Sequence, residues 1–204
     1  MEGFNTYIDL LDCSGLTDFF YKKGEKRILK RKEFFLRQND SSLYAGYVEK
    51  GAFRLTRIGD NGKEAVVGYS FEKEFICDYS SFLKRTTSVV NIQATTESVV
   101  YVVSLSDYLE YLNTGPEEQR FRHKAAEALF EMVYMRLLES YCDTPEQRYV
   151  KLMQRCPNLK EKVPLKEIAS FLGVTPETVS HIRKKFVIPG KVLKQFKAFL
   201  VYNT

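Results

Sequence analysis

The chain has 204 residues, 44% of them hydrophobic and 28% charged, with a net charge of +5, which suffices for an ordinary core in one or two domains. Its four cysteines, Cys13, Cys77, Cys142 and Cys156, lie far apart and include no CxxC pair, which argues against a disulfide framework or a structural zinc site and for a reducing cytoplasm. The longest apolar runs, such as SVVYVVSL at 98–105, are too short to span a bilayer, and no basic segment precedes an apolar run at the start, so a cytoplasmic protein without membrane contact is expected.

Residues 1 to about 22 read as a helical lead-in, with Tyr7, Leu10, Leu11 and Leu16 near helical spacing. From Arg27 the pattern changes to short runs rich in β-branched and aromatic residues: RILKRKEFF, LYAGYVEKG, AFRLTRI, EAVVGYSF, VVNIQA and SVVYVVS. Turn material separates them, most clearly Asn61-Gly62, a pair suited to the positive φ angles of a tight hairpin. Regular short strands predict a β-roll, barrel or sandwich over about 25–104.

SLSDYLEYL predicts a short helix, broken at Asn113-Thr114-Gly115-Pro116. A long helix follows to about Tyr141 with two apolar stripes: Phe121, Ala125, Ala128, Met132 and Met135, and then Ala126, Phe130, Val133, Leu137 and Tyr141. One apolar face suffices for a surface helix, so two imply two partners, the β domain and the same helix of a second subunit. Burial within one chain is the alternative. Asp143-Thr144-Pro145 caps a further helix that Cys156-Pro157 closes, and Asn158 to Lys162 reads as a polar connector.

From Thr144 onward twelve Lys and Arg stand against four Glu, a net +8 that leaves −3 for residues 1–143. Phosphate contact therefore belongs to the C-terminal part, with a solvated basic surface as the alternative. Within it, LKEIASFLGVTPETVSHIRK (165–184) places Leu165, Ile168, Ala169 and Leu172 on one face of a first helix, and Gly173 supplies a turn. Thr175 is a good N-cap, Pro176 suits the first helical position, and Val174, Val179 and Ile182 return the second helix to the same small core. Two short helices about a glycine turn make a helix-turn-helix. Outward on the second helix stand Glu177, Ser180, His181 and Lys184, one stripe at i, i+3, i+4 and i+7. Glu, Ser and His can bond base edges, whereas Arg183, Lys184 and Lys185 suit backbone phosphates.

In this order the parts resemble the Crp/Fnr family of bacterial transcription regulators, in organisation over nearly the whole chain and in sequence at 163–185. The resemblance implies an α+β chain: a jelly-roll-like, cyclic-nucleotide-binding-like β-roll at 1–115, a dimerisation helix at 116–142, and a (winged) helix-turn-helix domain at 143–204. It implies that Glu177, Ser180 and His181 read bases while Thr175, Thr178, Lys166, Arg183, Lys184 and Lys185 face the DNA backbone. Fnr-like members present Glu, Ser and Arg at the reading positions; His181 replaces the Arg. Family members continue into a β-hairpin wing, but Val192, Leu193, Phe196, Phe199 and Leu200 suit a terminal helix equally.

Members that bind cyclic AMP carry Gly-Glu on a short helix and Arg-Ser some ten residues later; here Cys77-Asp78 and Ser88-Val89 stand at those places. The phosphate's charge partner is missing, Arg85 is offset by about three residues, and Asp78 would repel a phosphate. Cyclic AMP is not expected, nor a cofactor. With only Cys13 near the start, an iron-sulfur sensor is disfavoured. An apolar effector or haem in the roll stays open, with His123 as the one axial histidine in reach and a surface role its plainer reading. Cys77 reads as a buried thiol rather than a redox one.

A cupin-like enzyme needs several His in the barrel, and residues 1–115 contain none. The expected partners are double-stranded DNA and a second copy of the chain, with RNA polymerase a candidate and an effector undetermined. The rival function is a regulatory or protein-interaction module without specific DNA readout.

Overall fold

The computed structural model describes residues 4–186 and divides into two compact units, Met1–Tyr141 and Cys142–Thr204. The first unit begins with a 3-10 turn, Thr6–Leu10, and helix α1, Ser14–Lys23. The lead-in is thus two elements rather than one helix. Asp12 separates them, its carboxylate accepting the Ser14 N–H at 3.0 Å, a local bond that competes with helix. Leu10 is exposed, whereas Leu16 and Phe20 on α1 are buried.

Eight strands follow: β1 (Glu25–Leu29), β2 (Phe34–Leu36), β3 (Tyr44–Lys50), β4 (Phe53–Ile58), β5 (Glu64–Ser70), β6 (Phe75–Ile76), β7 (Asn91–Ala94) and β8 (Ser98–Ser104), with helix α2, Tyr79–Lys84, between β6 and β7. They form two antiparallel four-stranded sheets, β1-β8-β3-β6 and β2-β7-β4-β5. Val48, Phe53, Ile76, Ile92 and Val100 make the core of the roll. On the other face of the first sheet, Ala45, Tyr47 and Val103 pack with Leu16 and Phe20 of α1 and with Leu105 and Leu112 of α3, Leu105–Leu112. Burial on both faces accounts for the unbroken apolar run of β8, where alternation would have been the mark of a half-exposed strand.

The β4-β5 turn differs from the two-residue hairpin suggested by Asn61-Gly62. Five residues, Gly59 to Lys63, connect the strands, and of the Asn-Gly pair only Gly62 has positive φ, at +75°. Gly62 N–H donates to Gly59 O at 2.8 Å, and Asn61 uses its side chain instead, accepting the Lys63 N–H at 3.0 Å. This is a looped turn with one left-handed glycine.

Helix α4 runs unbroken from Pro116 to Cys142, about 40 Å at 1.5 Å per residue. Phe121, Ala125, Ala128 and Met132 are partly covered, as the first stripe requires, but the covered row continues through Arg136 and Glu139. Met135 joins Phe130, Val133 and Leu137 on the exposed side. A step of four from Met132 keeps to the covered face here, and the step of three to Met135 leaves it.

The second unit contains α5 (Pro145–Arg155), α6 (Leu159–Lys162), α7 (Leu165–Phe171) and α8 (Pro176–Phe186). Thr144 and Gln147 form a reciprocal capping box at the start of α5, satisfying two N–H groups that a bare helix end leaves unpaired. The polar connector expected at 158–162 is instead the short helix α6, anchored by Leu159, which is fully buried. Leu152, Cys156, Leu159, Val163, Ile168, Ala169, Leu172, Val179 and Ile182 are buried in this unit, and Leu165 is half-buried. Residues 187–204, where a wing or terminal helix is expected, lie outside the described residues.

Candidate functional site

Helices α7 and α8 pack on each other across a turn in which Gly173 adopts φ +66°, a conformation that costs other residues energy. Gly173 N–H donates to Ser170 O and Val174 N–H to Ala169 O, closing the end of α7. Thr175 caps α8, its Oγ1 accepting the Thr178 N–H at 3.2 Å. Val179 and Ile182 anchor the inner face, being 0% and 2% exposed. With that face committed, the helix must show its other side. Glu177, His181 and Lys184 are exposed and Ser180 is half-buried, so the four predicted positions share one solvent-facing stripe.

The stripe begins acidic and ends basic. Backbone hydrogen bonding at the helix N-terminus, with a further bond from Thr175, holds the Glu177 carboxyl below its usual range, so it is an acceptor at neutral pH. Arg183, Lys184 and Lys185 lie in the last turn, and Lys166 on α7 is exposed. Lys185 bonds Glu146 of α5 at 2.5 Å, a partner the sequence did not signal. The Thr175 and Thr178 hydroxyls lie 3.1 Å apart and share one hydrogen bond, and with Thr175 also bonding the Glu177 carboxylate both hydroxyl protons are engaged at the start of α8.

The short-helix cassette of the roll has a different arrangement. Asp78 is the N-cap of α2. Its carboxylate accepts Ser81 Oγ, Ser88 Oγ and the Val89 N–H, each at 2.9 Å, and the Ser81 N–H at 3.4 Å. Partial burial works against the charge, but the bonds from Val89, Ser81 and Ser88 outweigh it and hold the carboxyl below its ordinary value. The carboxylate expected to repel a phosphate is thus surrounded by donors from both ends of the cassette. Arg85 is exposed and ends α2 in the left-handed conformation at φ +56°.

Beside this cassette, between the roll and α4, lies a cavity of about 240 Å³ lined by Cys77, Tyr79, Tyr108, Leu129 and Met132 among others. Burial, and then the charge of Asp78, push the Cys77 thiol up to about 12, which keeps it protonated and unreactive. His123 is exposed on α4 and lies 3.2 Å from Glu127. Among the described residues no group of three or more His, Cys, Asp or Glu is placed to hold a metal ion, and no helix is long and apolar enough to cross a membrane.

The outer face of α4 is apolar and uncovered: Phe130 is 71% exposed and Tyr141 82%, with Val133, Tyr134, Met135, Leu137 and Leu138 between them. Phe130 and Tyr134 stack with ring centroids 5.9 Å apart.

Residues 26–114 match the family model of the cyclic nucleotide-binding domain. A Rhizobium leguminosarum protein described as a probable transcriptional activator is 25% identical over 83% of this chain and 75% of its own length. FixK2 from Bradyrhizobium japonicum has a similar structure, with TM-score 0.70 and 14% identity over 80% of this chain and 84% of its own. A Eubacterium rectale protein assigned to the Crp/Fnr family of transcriptional regulators superposes with TM-score 0.64 at 13% identity, over 90% of this chain and 87% of its own.

Proposed function

Starting from a chain with the fold of the Crp/Fnr regulators, we propose that it is a sequence-specific DNA-binding transcription regulator, acting as a homodimer in the cytoplasm and independent of cyclic AMP. The observation that carries this reading is the two-sidedness of α8: Val179 and Ile182 lock one face into the core while Glu177, Ser180, His181 and Lys184 stand together on the other. A helix held in this way presents base-reading groups without rearrangement. Arg183, Lys184 and Lys166 supply phosphate contacts, with Thr175 and Thr178 contributing a hydroxyl only on exchanging a bond within the helix start. Lys185 contributes only after leaving Glu146.

Dimerisation is assigned to α4. Its uncovered row from Phe130 to Tyr141 is long and apolar, and a second copy of the same row, related by a two-fold axis, matches it in chemistry and length. A two-fold pair that reads two half-sites needs its recognition helices about one DNA turn apart, roughly 34 Å, and favours a pseudo-palindromic site. Independence from cyclic AMP rests on Asp78. The donors of the cassette, Ser88 Oγ, the Val89 N–H and the first turn of α2, already bond a carboxylate of the chain itself, so a cyclic phosphate would meet a negative charge in place of free donors.

The test is selection of bound sequences from a random DNA pool by the full chain without added ligand at near-physiological salt. A two-fold symmetric motif is the expected result. A flat profile, with salt-sensitive binding alike on all sequences, would leave the chain a cyclic-nucleotide-binding-like module without specific readout.

A further inference from the structure

Asn5, Tyr7 and Leu11, near the start of the described chain, line the cavity between roll and α4, and Phe4 sits next to them. Phe4 is 1% exposed. Its ring meets Tyr69 of β5 edge to face with centroids 5.4 Å apart, and the Arg136 guanidinium of α4 lies over the same ring at 4.5 Å. Arg136 Nη2 donates to the Phe4 carbonyl at 2.6 Å. The next residue, Asn5, turns to the sheet. Its Nδ2 donates to Tyr69 O at 2.9 Å and to Glu74 Oε2 at 2.6 Å, and its backbone N–H reaches Glu74 Oε1 at 3.3 Å. Glu74 is itself buried and also accepts the Phe71 N–H.

This is the contact pattern of a bound molecule: an aromatic ring in an apolar seat, a carbonyl on a guanidinium and an amide on a buried carboxylate. One small piece of chain therefore bonds α4 on one side and β5 on the other. We infer that Phe4-Asn5 is a tethered ligand, which fixes α4 against the roll through Arg136 and Tyr69 as a diffusible effector would. What it holds in place is the helix whose outer face is the proposed dimer surface. Its consequence for DNA binding rests on the proposed function; its existence does not.

The test reads the helix directly, by amide hydrogen exchange on the full chain. Phe4→Ala is expected to speed exchange about tenfold or more at Leu129 to Arg136 of α4 and at Val67 to Tyr69 of β5, while β7 is unchanged. Arg136→Lys keeps the charge but loses the planar fork. It should loosen residues 4 to 8 and α4 together with the roll intact, giving a reading even where the alanine variant folds poorly. Acceleration spread evenly over the whole first unit, or none on α4, would overturn the inference. The DNA selection experiment is unaffected by either result, so the two readings fail separately.

Discussion

Asp78 and Ser88 are ten residues apart, and the carboxylate of one accepts the hydroxyl of the other at 2.9 Å. The bond joins the start of α2 to the chain entering β7 and draws together the two halves of the cassette. The same carboxylate caps α2 and takes the Val89 N–H, so one side chain organises the loop that a ligand would otherwise order.

Replacing Asp78 with Asn keeps an N-cap but removes the charge and turns one accepting oxygen into an NH2 group, and should cost stability of about 1 kcal/mol through the weakened bonds to Ser81, Ser88 and Val89. The sign with pH follows from the depressed carboxyl. Its stabilisation is full above the ordinary value of 3.8 and is lost as pH falls through the lower folded value. Denaturant melts of Asp78→Asn and the wild type should differ at pH 7 and converge toward pH 3. An equal gap at both would mean that the charge is not what holds the loop.

Titration calorimetry with cyclic AMP should give no heat of binding for the wild type at millimolar ligand. Binding in the micromolar range would show that Asp78 yields its donors to a phosphate.

On the recognition helix, His181→Ala should alter preference at one base of each half-site, by about 1–3 kcal/mol of discrimination. Lys184→Ala should weaken all sequences alike and lower the salt slope by about one ion. His181→Arg should strengthen a preference for guanine, because a guanidinium bonds its major-groove edge in bidentate fashion. Competition binding over single-base variants of the selected site separates these outcomes; identical profiles for the His181 and Lys184 variants would remove His181 from base reading.

Glu146→Gln frees Lys185 from its 2.5 Å partner. Both groups are about half exposed, so the loss of stability should stay below about 1 kcal/mol. DNA affinity at low salt should rise, since a cation is released and an acid removed near the end of α8. A fall in affinity would show that the pair positions the helix.

Phe130→Glu with Leu137→Glu places carboxylates in the uncovered row of α4. Sedimentation at micromolar concentration should show the wild type at twice the mass of the variant, with far-ultraviolet dichroism unchanged. A wild-type monomer would remove α4 as a dimer surface.

The parts of this molecule that repeat along the chain were legible in its sequence. Six short runs marked seven of the eight described strands, RILKRKEFF holding both β1 and β2 where one run was expected, and the spacing of Ile168, Ala169, Val179 and Ile182 was enough to draw the helix-turn-helix. What escaped depends on single residues. Leu159 is one buried anchor in the charged segment LKEK, which is too short for any period to show a helix. The donors of Asp78 lie at both ends of a loop, and nothing local distinguishes a carboxylate that is solvated from one that is bonded. The β6 strand is two residues long. Phe4 precedes every pattern in the chain, and its seat is made by strand β5 and a guanidinium on α4.

The hydrogen bond from Arg136 to Phe4 spans 132 positions, which gives the molecule an order of assembly. On the ribosome the roll can pair its strands before α4 emerges, but the seat of Phe4 is incomplete until the long helix is out. At ordinary rates of synthesis that interval is on the order of ten seconds. For its duration the Phe4 ring is a phenyl group without its guanidinium cover, a foothold for a chaperone and a late piece of the first unit to lock.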